Sequence, residues 1–221
     1  MSLTQFLAEY GARLLSGAVV TMEQAVLASV LAVSIATLMG LMRLSENFAI
    51  RWAAIGYIEF FRGTSLLVQL YWIFFVLPLF GLTLENFTAG FVAVGMNLGA
   101  YGAEVVRGAI QSVPRGQYEA ALALNMSPTT RMRRVIMPQA FVIMLPPWGN
   151  LLIELLKGTA LVALISVTDL MFEARQINAS TFLSIQAFGT ALVLYYIMAR
   201  LIITPGMCWL ERATARRFGR A

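Results

Sequence analysis

The sequence predicts an all-α integral membrane protein, a single domain over 1–221 with about five transmembrane helices. Three observations carry that reading. Of the 221 side chains, 59% are apolar and 12% charged, against about 45–50% and about 25% in soluble domains. So little charge cannot clothe a soluble fold of this size. The charge is also absent in long runs, near the roughly 20 residues that a helix needs to cross a bilayer. Finally, these runs lack strict alternation of apolar and polar residues, which leaves helices and not a barrel.

Residues 24–42, 63–84, 86–103, 135–153 and 176–199 contain no Asp, Glu, Lys or Arg, in runs of 19, 22, 18, 19 and 24. Each is read as one span. The next run, 158–168, has 11 residues and is too short to cross alone. Residues 1–23 carry Glu9, Arg13 and Glu23 and lack the basic start and short apolar core of a signal peptide. They are expected to lie on the membrane surface as an amphipathic segment.

Orientation follows from the arginines. Segments 43–62, 104–134 and 200–221 hold thirteen of the sixteen basic residues. Cytoplasmic loops concentrate Lys and Arg, so the C-terminus is expected in the cytoplasm and the N-terminus outside. Arg212, Arg216, Arg217 and Arg220 read as topology signals in contact with anionic headgroups. The net charge of +5 then labels sidedness, and no nucleic-acid partner is expected.

Composition removes several chemistries. The chain has no histidine, which excludes histidine acid–base catalysis, histidine metal sites and Ser-His triads. Its one cysteine, Cys208, excludes an intrachain disulfide and a Cys-rich metal site. No G-x-x-x-x-G-K-[ST] loop occurs, and the sole lysine is Lys157. The chain therefore has no such phosphate loop for hydrolysing ATP, and energy must come from a partner or a gradient.

The segment 104–134 is far longer than a connector requires. Ser112 and Pro114 can start a first short helix, and Tyr118 to Leu124 continues it. Asn125 falls where a left-handed cap is needed. Ser127 and Pro128 open a second helix, made basic by Arg131, Arg133 and Arg134. Ala120, Ala121, Leu122 and Leu124 are too apolar to face cytosol. Either the pair lies on the membrane surface, or the first helix seats in a partner's groove.

The run from Asn97 to Ala140, NLGAYGAEVVRGAIQSVPRGQYEAALALNMSPTTRMRRVIMPQA, resembles the EAA loop of bacterial ABC importer permeases. Glu119, Ala120 and Ala121 match the E-A-A. Asn125 stands where that family usually has Gly, and Ile136-Met137-Pro138 stands for its I-L-P ending. EFFRGTSLLVQL at 59–70 and ELLKGTALVALISVTDL at 154–170 resemble the polar amino acid subfamily. The Asn125 variant and the stretch LPPWGNLLIELLKGTALV are most similar to ectoine and hydroxyectoine permeases. The resemblance implies a type I ABC importer transmembrane domain in the inner membrane. Its loop 107–134 would couple to an ATPase through Gly116, Glu119, Ala120, Ala121, Asn125, Arg131 and Arg134. The implied partners are a dimer of ATPase subunits that bind the ATP, a second permease (identical or sibling), and a periplasmic or lipid-anchored solute-binding protein. The chain itself would bind no cofactor and catalyse nothing. Outside the resemblance, a gradient-driven carrier or channel also fits the spans but not the loop. An intramembrane enzyme is disfavoured because no Ser–Lys dyad lies along one face.

Polar residues at membrane depth are expensive and mark function or helix association. Asn97, Tyr101 and Glu104 share a face of the third span. Pro146 and Pro147 are expected to bend or break the fourth, as at transporter sites, with Trp148, Asn150, Glu154 and Lys157 following. Glu154 and Lys157 either pair at i,i+3 or offer an anion and a cation to a zwitterionic solute, with Trp148 an interface anchor or a π-face. The segment Glu59–Leu66 echoes Glu154–Leu161, and Gly-Thr after a basic residue could end a helix in both. Gly95, Gly99 and Gly102 allow close helix approach.

Overall fold

The computed structural model describes residues 2–217, and among the described residues every element is helical. Arg220 of the basic tail lies outside them. Among the described residues, four helices are long and apolar enough to cross a membrane, and one bent pair has the length and composition of a broken span or a re-entrant loop.

Helix α1 runs Leu3–Arg43, 41 residues, or about 60 Å, twice the hydrocarbon thickness. Ser2 caps it: its hydroxyl accepts the Gln5 N–H at 3.3 Å while the Gln5 side chain accepts the Ser2 N–H at 3.1 Å. The expected surface segment 1–23 is therefore not separate, because no proline breaks the helix before residue 24 and its face is already packed. Gly17, Thr21, Gln24, Ala25, Ala28, Ala32, Ala36 and Gly40 form one buried stripe.

That stripe receives α4 (Asn86–Gln111). A methyl group at Gly95 would stand 2.9 Å from Leu31, and one at Gly99 would stand 2.8 Å from Ile35. The glycines in α4 therefore permit the close approach that their spacing suggests. Gly40 reciprocates, with the Ala103 carbonyl 2.9 Å from where its Cβ would be.

The run 63–84 is not one straight span. Helix α2 (Phe48–Gly63) meets α3 (Leu66–Phe80) at an angle of 105°. Thr64 is extended at φ −121° and ψ 159°, so the Gly-Thr step does end a helix here. The 15 residues of α3 reach only about 22 Å, less than the hydrocarbon thickness, so α3 alone is too short to cross.

After the short helix α5 (Arg115–Ala123), α6 runs Pro128–Ile165. It is not broken at Pro146 and Pro147, which lie inside regular helix. Both prolines are exposed, while Met144, Leu145 and Trp148 beside them are buried and hold the opposite face of the helix in the bundle. Geometry changes elsewhere, in a π turn at Met132–Ile136 and a 3₁₀ turn at Ala160–Ile165. The second Gly-Thr step, Gly158-Thr159, thus tightens the helix and does not end it. Ser166, left-handed at φ 64°, terminates α6.

The run 176–199 is likewise divided. Helix α7 (Leu170–Thr181) ends at Phe182, left-handed at φ 58°, and α8 (Ser184–Arg216) makes the crossing. Two buried cores result. One joins the start of α1, α3, the start of α4, the end of α6, α7 and α8. The other joins Ala36 and Leu44 to the end of α4, Tyr118 of α5, the start of α6 and Met207. The second core marks the end of the bundle that carries α5.

Candidate functional site

Helix α5 is held on two sides. Tyr118 donates its hydroxyl to the Ile110 carbonyl of α4 at 3.2 Å, and Gln139 of α6 donates to the Gln117 side chain at 3.1 Å. Pro114 stands at its N-cap, while Ser112 closes α4 instead of opening α5. Its C-terminus is a Schellman motif. The Met126 N–H reaches the Ala121 carbonyl at 3.0 Å and the Asn125 N–H reaches the Leu122 carbonyl at 2.9 Å. Asn125 is left-handed at φ 51°, as its position in the sequence requires. Ser127 then caps the next turn through the Thr130 N–H at 3.3 Å.

This frame sorts the expected coupling residues. Ala121 is buried, whereas Gly116, Glu119, Ala120 and Asn125 are exposed. Leu122 and Leu124 are 56% and 74% exposed, an apolar edge on an otherwise polar end. Arg134 is exposed and Arg131 half-buried on the following turn.

A second site lies where the 105° bend faces α4 and α6. Thr64, Ser65, Asn97, Tyr101, Glu154 and Lys157 line a cavity of about 470 Å³, together with Leu66, Leu98, Gly158 and Leu161. The two echoing segments thus meet in one cavity, Thr64–Leu66 from one and Glu154, Lys157, Gly158 and Leu161 from the other. Glu154 and Lys157 are both exposed, and no ion pair between them occurs among the described residues. The Arg62 guanidinium lies 5.5 Å from the centroid of the Tyr101 ring, a cation–π distance.

Asn97 has a structural duty as well. Its amide donates to the Phe61 carbonyl at 3.0 Å and to the Gln69 side chain at 2.9 Å. Gln69 donates to the same Phe61 carbonyl at 3.0 Å and to the Thr64 hydroxyl at 2.6 Å. The two amides supply donors that the broken helix has lost. Sequence reasoning missed Gln69, a polar side chain inside the charge-free run 63–84 and the signal that could have found it.

Two of the residues grouped in the sequence with Asn97, Tyr101, Glu154 and Lys157 do not line this cavity. Trp148 is 8% exposed, and its ring fills the space beside Gly102 and Ala36, where a Cβ on Gly102 would come within 2.7 Å. It is neither an interface anchor nor a face open to solute. Asn150 is exposed and outside the cavity lining. Glu104 is an ion-pair residue: its carboxylate binds Arg43 of α1 and Arg107 at 2.8 Å, and Arg43 stands 3.9 Å from Glu59 of α2.

The membrane-type helical fold, the exposed capped helix and the polar pocket at the bend together suit a multi-pass membrane subunit that works with partners. Residues 25–216 match the family described as "Binding-protein-dependent transport system inner membrane component", and the chain belongs to that family. It is 47% identical over 184 residues to the "Probable amino-acid ABC transporter permease protein y4tF" of Sinorhizobium fredii, covering 77% of each chain. It is 38% identical to the "L-cystine transport system permease protein TcyB" of Bacillus subtilis, over 75% of this chain and 71% of that one. Among solved structures, an amino acid ABC transporter superimposes with a TM-score of 0.89 at 35% identity, covering 96% of this chain and 99% of that one. The MetNI methionine ABC transporter shares the fold at a TM-score of 0.73 and 20% identity, over 97% and 99%. The chain is a multi-pass permease subunit of an inner-membrane ABC importer.

Proposed function

We propose that this permease moves amino acids or related zwitterionic solutes inward, driven by a separate ATPase that seats α5. In this reading Glu119, Ala120 and Asn125 present the docking surface, Gly116 leaves room for the partner, and Arg131 and Arg134 flank it. The ATP binds the partner ATPase dimer, consistent with the missing phosphate loop. A second permease, identical or sibling, and an extracytoplasmic binding protein complete the assembly, and the end carrying α5 faces the cytoplasm. Solute passes the cavity at the bend, where Lys157 meets a carboxylate, Glu154 an ammonium, and Asn97 and Tyr101 supply the polar wall.

The observation that carries the proposal is the outward placement of Glu119 and Ala120 on a helix hydrogen-bonded to both α4 and α6. A helix fixed this way transmits a partner's motion to the spans, whereas a loose one would absorb it. The test is reconstitution with the cognate ATPase and binding protein. Ala120→Trp and Glu119→Arg are expected to lower uptake at least about tenfold, as loss of a docking hot spot does, while the permease stays folded. Retained ATPase docking and retained uptake would sink the assignment. Substrate class is read separately, from the affinity of the binding protein for amino acids, ectoine and hydroxyectoine.

A further inference from the structure

The last third of α8 carries a surface pocket separate from the cavity at the bend. It has a volume of about 620 Å³ and is lined by Arg200, Thr204, Cys208, Trp209, Arg212 and Arg216, with no acidic residue in its lining. Arg200, Arg212 and Arg216 are exposed, and none of them forms an ion pair among the described residues. Trp209 is 71% exposed.

The backbone brings these groups together. In a straight α-helix Arg200 and Arg212 would lie roughly 120° apart around the axis. The π turn Met198–Ile203 inserts an extra residue into the winding, which brings Arg200 toward the face of Arg212. The Thr204 backbone N–H and hydroxyl both donate to the Ala199 carbonyl, the hydroxyl at 3.0 Å, and fix the end of this turn.

Depth identifies the ligand. Residues 184–203 of α8 make a stretch of about 30 Å, equal to the hydrocarbon thickness; with that apolar stretch taken as the crossing, Thr204 falls at the start of the headgroup layer. Arg200 can extend its guanidinium to that layer, and Trp209 occupies the level that membrane-interface tryptophans prefer. Immediately toward the bilayer, Leu201 and Ile202 are 67% and 51% exposed, an apolar wall for acyl chains. Met207 lies 3.6 Å from the Cβ position of Gly149 and belongs to the core that includes Tyr118 of α5. The pocket is therefore at the α5 end.

We infer that this pocket is a binding site for the phosphodiester headgroup of an anionic phospholipid in the leaflet nearest α5. Three arginines supply charge and paired donors that match phosphate oxygens, and Trp209 flanks the glycerol region. The inference is independent of which solute is carried.

The assembled transporter, reconstituted in bilayers of equimolar phosphatidylcholine and phosphatidylglycerol and then extracted in mild detergent, tests it by mass spectrometry of retained lipid. Phosphatidylglycerol is expected to be enriched, and Arg200→Gln, Arg212→Gln and Arg216→Gln each to lower its retention about fivefold. Arg212→Lys should recover part of the loss, which a misfolded variant would not. Arg51→Gln, an exposed charge on α2, should leave retention unchanged. Equal retention of both lipids overturns the inference, and so does an Arg51→Gln loss as large as that of the pocket variants.

Discussion

The Asn97 side chain of α4 donates to the Phe61 carbonyl of α2 at 3.0 Å, and so an intact helix completes a broken one. Phe61 is near the last turn of α2, whose carbonyls have no successors in the helix. Without Asn97 and Gln69, the 105° bend would expose backbone groups to an apolar surrounding. The bend in turn sets Thr64 and Ser65 opposite Glu154 and Lys157, which forms the cavity.

Asn97→Leu is therefore expected to destabilise the permease by about 1–3 kcal/mol, the cost of a buried group left unpaired. A thermal melt of the purified transporter reads this as a lower midpoint. Gln69→Leu should act on the same network, and the double variant should lose less than the sum of the two.

Gly102→Ala places a methyl group 2.7 Å from the Trp148 ring and 2.8 Å from Ala36. Overpacking of this kind costs about 1–3 kcal/mol. Gly108→Ala, in the same helix with open space at its Cβ position, is expected to stabilise by about 0.5–1 kcal/mol through helix propensity. Opposite shifts of the melting midpoint check the pair.

Asn125 is left-handed at φ 51°. Asn125→Gly should preserve uptake and ATPase coupling, whereas Asn125→Val should cost about 1–2 kcal/mol at the end of α5 and reduce ATPase activity stimulated by the loaded binding protein. Equal behaviour of the two variants would show that the cap plays no part in coupling.

Lys157→Gln removes the cavity's proposed carboxylate partner. Hydrogen bonds to charged groups contribute about 1.5–3 kcal/mol, so transport in proteoliposomes is expected to fall at least about tenfold while ATPase docking is retained. An unchanged rate would remove Lys157 from the pathway.

Asp169 caps α7 through the Phe172 N–H at 2.8 Å and accepts the Tyr195 hydroxyl at 3.3 Å. Burial pushes its carboxyl up from 3.8 to about 6. Because the folded value is raised, the fold favours the protonated form. That stabilising contribution is full below the unfolded value and is lost as pH rises through the folded one. The melting midpoint is expected to rise as pH is lowered from about 7 to about 5, and Asp169→Asn, which keeps a capping oxygen, should flatten this dependence.

Much of the candidate coupling surface was legible before any coordinates. Asn125, Ser127 and Pro128 act through short-range backbone chemistry, so their spacing places the cap and the next helix start. Ala121 and Ala120 are adjacent and chemically identical, yet one is buried and the other exposed. Only the contacts of α5 with α4 and α6 separate them. The cavity was half legible: Asn97, Tyr101, Glu154 and Lys157 stood out as polar residues in apolar surroundings, but Trp148 and Asn150 carried the same signal and lie outside it.

The sequence by itself determined that this is a helical membrane protein, where its charges concentrate, and where its short helices are capped. These properties depend on composition and on residues within a turn of one another. Tertiary structure alone decided which helix breaks. Two prolines on an exposed face leave α6 continuous, whereas the end of α2 at Gly63-Thr64 is stabilised by the Asn97 and Gln69 amides, which donate to its open Phe61 carbonyl. Helix breakage at membrane depth depends on whether partners exist for the freed backbone groups. Those partners come from other elements of the fold, which local sequence cannot specify.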